Sequence, residues 1–185
     1  GGSYEHSGIT GISHLLEHLM FEGTEKYPTG VLEKEINALG GKQNAMTSND
    51  YTIYYESAPK DSLPLILSIE SDRMRHLNIT QEAFEKEQKV VIQERMMRFE
   101  NNPQALTFER FFAAAYINNP YHHQAIGWMT DLLHLTRSDV QSWYKTWYRP
   151  NNAILVIAGD ITSKEAFEKV NQYFGLLKKK ALPKL

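Results

Sequence analysis

Past Gly11, the stretch up to Glu22 leaves the chain little choice of local structure. It contains no helix breaker, and its apolar residues Ile12, Leu15, Leu16 and Leu19 recur at helical spacing. At about 100° per residue these four share one face of an amphipathic helix, while His14, Glu17 and His18 gather on the opposite face. Any fold must bury one side of this helix and keep the other for polar chemistry.

Residues four apart on a helix hold their side chains about 5–6 Å apart, so the imidazoles of His14 and His18 can converge on one ion. Glu17, on the same turn, is placed to take a proton from a metal-bound water. The pattern is H-x-x-E-H, the inverted form of the commoner H-E-x-x-H zinc helix. A solvated polar face with two histidines would look the same, so a third ligand is needed.

Composition narrows the rest. With 185 residues the chain is expected to form one domain, residues 1–185, with a real core. A formal charge of −2 gives no footprint for nucleic acid or an anionic membrane, and Lys178-Lys179-Lys180 reads as a solvated tail. There is no cysteine, so thiolate sites and disulfides are excluded and any metal must be held by histidine and carboxylate. No apolar run reaches the length of a membrane span, and no signal pattern opens the sequence.

Along the chain, helices are expected over the Gly11–Glu22 stretch, over Thr29 to Leu39 up to the Gly40-Gly41 stop, and from Asp61 or Ser62 to about His76. A long helix runs from a Thr80 cap to about Glu100, followed by one after Pro103. Shorter ones are expected near Met129–Leu133 and Ser138–Trp147, and a last from Lys164 to Phe174. Thr136 with Asp139 and Thr162 with Glu165 have capping-box spacing. Asn44–Thr47 and Thr52–Tyr55 read as a hairpin around Ser48-Asn49-Asp50. The continuous apolar run Ala153–Ala158 reads as a central strand covered on both faces.

Helical angle sorts the candidates for a third ligand. Glu87 and Glu94 lie seven residues apart, within about 20° of each other, between Val90/Met97 on one side and Phe84/Val91 on the other. A carboxylate in an apolar arc is costly to bury unless paired or coordinating a metal. Either could be a ligand, or both could simply reach water or an arginine. His6, His76 and His134 stand alone, and the adjacent His122 and His123 make a poor pair of ligands.

Taken in order, these residues resemble the pitrilysin/insulysin family of inverted-motif zinc peptidases, in its N-terminal catalytic domain and with a bacterial look. The match runs through His14-Leu15-Leu16-Glu17-His18, Phe21-Glu22-Gly23-Thr24, and Gly40-Gly41-Lys42-Gln43-Asn44-Ala45-Met46-Thr47 with Asp50, Thr52 and Tyr54. It continues with Glu87 and Glu94, Pro120 to Gly127, and Tyr148-Arg149-Pro150-Asn151-Asn152 before Gly159-Asp160.

The resemblance implies an α+β fold, a mixed or antiparallel sheet flanked by several helices, with its first strands lying ahead of Gly1. It implies that His14, His18 and Glu94 bind one zinc ion, that Glu17 is the general base, and that Glu87 supports the site from outside. Asn44 and Ala45 would lie on the strand that an extended peptide substrate joins. The implied activity is zinc-dependent hydrolysis of peptide bonds. The implied partner is a second homologous domain or subunit that supplies arginine and tyrosine groups to the substrate. A non-catalytic scaffold subunit of the same fold is the alternative, although members of that kind lose motif residues. A cell-envelope location is the corresponding expectation.

Overall fold

The computed structural model describes residues 1–184. The chain sorts into two compact units, each built from three separate segments. The first takes Gly1–Leu19, Ala45–Tyr54 and Ile79–Trp143, and the second Met20–Asn44, Tyr55–Asn78 and Tyr144–Leu185.

In the first unit, α1 (Ile12–Leu19) packs against the long α4 (Gln81–Arg95), and α4 packs against α6 (Met129–His134). Ile12, Leu15, Leu16 and Leu19 are almost wholly shielded from water, as are Val91, Leu132 and Val140. Each such side chain contributes about 1.5–3 kcal/mol relative to an exposed one. The polar side of α1 is buried as well, since Ser13, His14 and Glu17 are also shielded. At the start of α1 the buried Glu5 carboxylate accepts hydrogen bonds from the Gly11 and Ser13 amides at 2.7 and 2.8 Å.

Thr80 caps α4 by accepting from the Ala83 amide, as its position in the sequence suggests. The helical run to Glu100 is not uniform, because a π-turn over Met96–Glu100 follows α4. Next comes α5 (Pro103–Ala115), capped by Asn102. Thr136 and Asp139 exchange bonds at the start of α7 (Arg137–Trp147).

The second unit contains α2 (Val31–Ala38), α3 (Leu63–His76) and α8 (Ser163–Phe174), with α3 packed on α8. Leu32, Ile36 and Ile69 form a core against which Tyr27, Ala58, Leu65 and Ile66 pack. Gly40, at φ 72°, ends α2 in the left-handed turn that glycine adopts without strain, and the Gly41 amide donates back to the Ile36 carbonyl. Thr162 and Glu165 form the full capping box of α8. Buried Tyr144 ties the end of α3 by donating to the Arg73 carbonyl at 2.8 Å and accepting from the Leu77 amide.

The strands are β1 (Lys42–Thr47) and β2 (Thr52–Ser57), a two-stranded antiparallel pair. Exposure alternates along both, as a hairpin with one covered face requires.

The run Ala153–Ala158 differs from the central strand its composition suggests. It is extended at Ala153 but forms no strand, and Ile154 and Val156 are 94% and 78% exposed. An apolar β-branched run becomes a strand only when a neighbouring strand takes up its amides and carbonyls. Among the described residues none lies beside it.

Candidate metal centre

One side of α1 and one side of α4 meet within the first unit. The donor atoms of His14, His18 and Glu94 all lie within 4.8 Å of one another, and among the described residues they form the one cluster able to hold a metal ion. Glu94 Oε2 is 3.6 Å from His14 Nε2 and 3.4 Å from His18 Nε2. Ligands at about 2.0–2.1 Å around a tetrahedral ion are separated by about 3.3 Å. The two distances to Glu94 are close to that edge length, and the three donors as a set span no more than 4.8 Å. The donor set of two imidazoles and one carboxylate suits zinc and leaves a fourth position open.

Glu87 stands on the other side of His18, its Oε2 3.2 Å from Nδ1. Helical periodicity puts both glutamates on one face, and His18 separates them: its Nε2 faces Glu94 and its Nδ1 faces Glu87. A carboxylate on the far nitrogen fixes the tautomer and ring orientation of a ligating histidine. The arc around the two glutamates is only half covered, because Phe84 and Val91 are buried while Val90 and Met97 are exposed. Arg98 Nη2 holds the other oxygen of Glu94 at 3.0 Å.

The two imidazoles have opposite electrostatic settings. Burial, with His18 beside it, pulls His14 down to about 4, and its Nδ1 is buried without a hydrogen-bond partner. Burial opposes a proton on His18 too, but hydrogen bonds to Glu87 and Glu94 outweigh it and raise the group to about 9. Glu87 and Glu94 are both held below the usual carboxylate range, chiefly by their bonds to His18. The two carboxylates, one facing each ring nitrogen, thus favour the protonated form of His18.

Glu17 is one residue from His18 but makes none of these contacts. Its Oε2 accepts from the Thr47 hydroxyl, which lies 3.0 Å from that of Thr52 on the paired strand. Burial raises the Glu17 carboxyl and the Thr47 bond opposes that shift. Thr47 is a site residue that no periodicity singles out, because it reaches Glu17 across the fold from β1. The signal that could have found it is its register, two residues beyond Ala45 on the same half-buried face of the strand. Ala45 belongs to this unit, while Asn44 belongs to the second and is exposed.

The remaining histidines lie outside the cluster. His76 pairs with Asp72, His134 bonds the Thr130 carbonyl, His6 is exposed, and His122 and His123 bond backbone carbonyls near their own loop.

Comparison with known proteins places the chain in a family. Residues 1–127 match the insulinase family of peptidases, and residues 134–185 match that family's inactive domain. The chain is 36% identical over 186 residues to the zinc protease PqqE of Helicobacter pylori, covering 99% of this chain and 42% of that protein. It is 31% identical over 175 residues to the mitochondrial-processing peptidase subunit beta of Rattus norvegicus, covering 95% of this chain and 36% of that one. The crystal structure of a protease from Helicobacter pylori superposes with a TM-score of 0.96 at 36% identity, over 100% of this chain and 45% of that one. The chain thus spans about two fifths of the length of the curated relatives it matches. Family and helix-rich fold agree, and the chain belongs to the insulinase family of peptidases, peptidase family M16.

Proposed function

We propose that this chain is the zinc-binding catalytic domain of an endopeptidase that cleaves extended peptides. The observation that carries the reading is the convergence of His14, His18 and Glu94 donors within 4.8 Å of one another, with Glu17 on the same turn of α1. His14, His18 and Glu94 hold the ion, and Glu87 holds the ring of His18. Bound zinc supplies a Lewis acid for the scissile carbonyl and lowers the pKa of water towards neutrality.

Glu17 takes the proton of the attacking water and hands it to the leaving amine. Burial suits it to that exchange, because a carboxyl raised from its usual range binds the proton long enough to deliver it. Thr47 holds Glu17 in one orientation. The substrate lies along β1, where Asn44 and Ala45 supply backbone groups to an added strand. A second homologous domain or subunit completes the substrate site, in keeping with relatives more than twice the length of this chain, one of them named as a subunit.

The test is hydrolysis of a quenched fluorescent peptide by the full-length protein before and after chelation. Activity is expected to vanish with the metal and return with about one equivalent of zinc. Activity that survives complete metal removal would overturn the reading. Thr47→Val is expected to lower kcat about tenfold with KM and zinc content unchanged, equivalent to one hydrogen bond to a charged group. Thr47→Ser, which keeps the hydroxyl, should stay near the parent value.

A further inference from the structure

The residue after Glu94 enters none of the chemistry above, yet it is among the most buried charges in the chain. Arg95 and Glu109 are each 2% exposed. Arg95 Nη1 and Nη2 grip the two oxygens of Glu109 at 2.8 and 2.9 Å, and Nη1 also donates to the Gly127 carbonyl at 2.6 Å. Nε bonds Glu100 at 3.2 Å, and the guanidinium packs near the rings of Phe99 and Trp128.

The Gly127 end of this grip leads back to α1. At φ 79° Gly127 lies so close to the preceding loop that a Cβ there would strike the Thr10 carbonyl and the Gly11 amide. Gly11, at φ 86°, would in turn strike the Ile126 carbonyl. Thr10 Oγ1 accepts from the Trp128 amide at 2.9 Å and donates to Asp131 at 2.6 Å, and the Gly11 carbonyl accepts the Leu15 amide in the first turn of α1. Consecutive residues of α4 therefore point about 100° apart, Glu94 to the histidines and Arg95 to the backbone that starts the histidine helix.

A buried ion pair is poor value as a source of stability, since apolar residues of equal volume commonly do as well. What the fork supplies is fixed geometry, because two parallel bonds define both distance and orientation. We infer that the Arg95–Glu109 clamp is a positioning device for the metal centre: by anchoring α4 to Gly127, and Gly127 to the start of α1, it sets the distance of Glu94 from His14 and His18. The inference rests on the metal site proposed above, and it makes Arg95 and Glu109 positioning residues, neither of which touches metal or substrate.

The test compares the full-length parent with Arg95→Met/Glu109→Leu, which fills the same space without the fork, and with the milder Glu109→Gln. Zinc affinity is read by competition with a chromophoric chelator, site geometry by the visible absorption of the cobalt-loaded protein, and stability by the Tm of the metal-free protein. In both variants zinc affinity is expected to fall about 10–100-fold, the range typical of groups behind the ligands, with an altered cobalt spectrum. In the apolar variant the metal-free Tm stays near that of the parent. Parent-like affinity and spectrum in a folded variant, Glu109→Gln included, would overturn the clamp and leave the metal site standing. His18→Ala is the control for the site itself: if zinc binding survives it, the site reading falls and the clamp falls with it.

Discussion

Glu94→Gln is expected to empty the metal centre. The full-length parent, purified without added metal, should carry about one zinc per chain in this site, and the variant should retain little after dialysis. The loss of affinity is expected to exceed about 100-fold for the loss of the proposed direct ligand, whereas outer partners typically account for 10–100-fold. Glu87→Gln falls within that lower range, since Glu87 reaches His18 Nδ1 and not the point where the three donors converge. The same measurement carries a pH signature. Zinc must displace the proton that Glu87 and Glu94 hold on His18, whose metal-free pKa is about 9, so affinity weakens as pH falls below that value. Full zinc occupancy in Glu94→Gln would remove Glu94 from the ligand set.

Glu17→Gln is expected to give the opposite dissociation of properties. Zinc content stays at the parent level, because the Glu17 carboxylate bonds Thr47 and lies outside the His14, His18 and Glu94 cluster. Peptide hydrolysis falls by about 10²–10⁴-fold, the usual contribution of a positioned general base, since an amide cannot accept the proton. The amide oxygen can still accept from Thr47, so the fold around the site is undisturbed. A Glu17→Gln protein that cleaves at the parent rate would assign the base to another residue.

Much of the site was legible in the sequence because its parts are local. The i, i+4 spacing of His14 and His18 is a property of one helix, and the seven-residue spacing of Glu87 and Glu94 a property of another. Caps such as Thr80 and the Thr162–Glu165 box are local too, and the structure forms them where the sequence suggests. What periodicity left open is which glutamate meets which nitrogen, because that depends on how two helices approach.

The same holds for features that no window of sequence contains. Glu5 caps a helix that begins several residues later, Thr47 reaches Glu17 from a strand, and Arg95 pairs with Glu109 across a π-turn. The apolar run Ala153–Ala158 misleads for the complementary reason. Its composition states a preference for a strand, and a strand exists only with a neighbour.

The segmented build of the first unit also dictates an order of events during synthesis. A nascent chain presents Gly1–Leu19 well before Ile79–Trp143, so His14 and His18 leave the ribosome before Glu94, and Glu94 before Gly127. At translation speeds of about 5–20 residues per second that interval is on the order of ten seconds. For its duration the two imidazoles lack Glu94, so the three-donor cluster does not yet exist. The cluster is therefore a product of the docking of α4 on α1, not of the histidine helix alone.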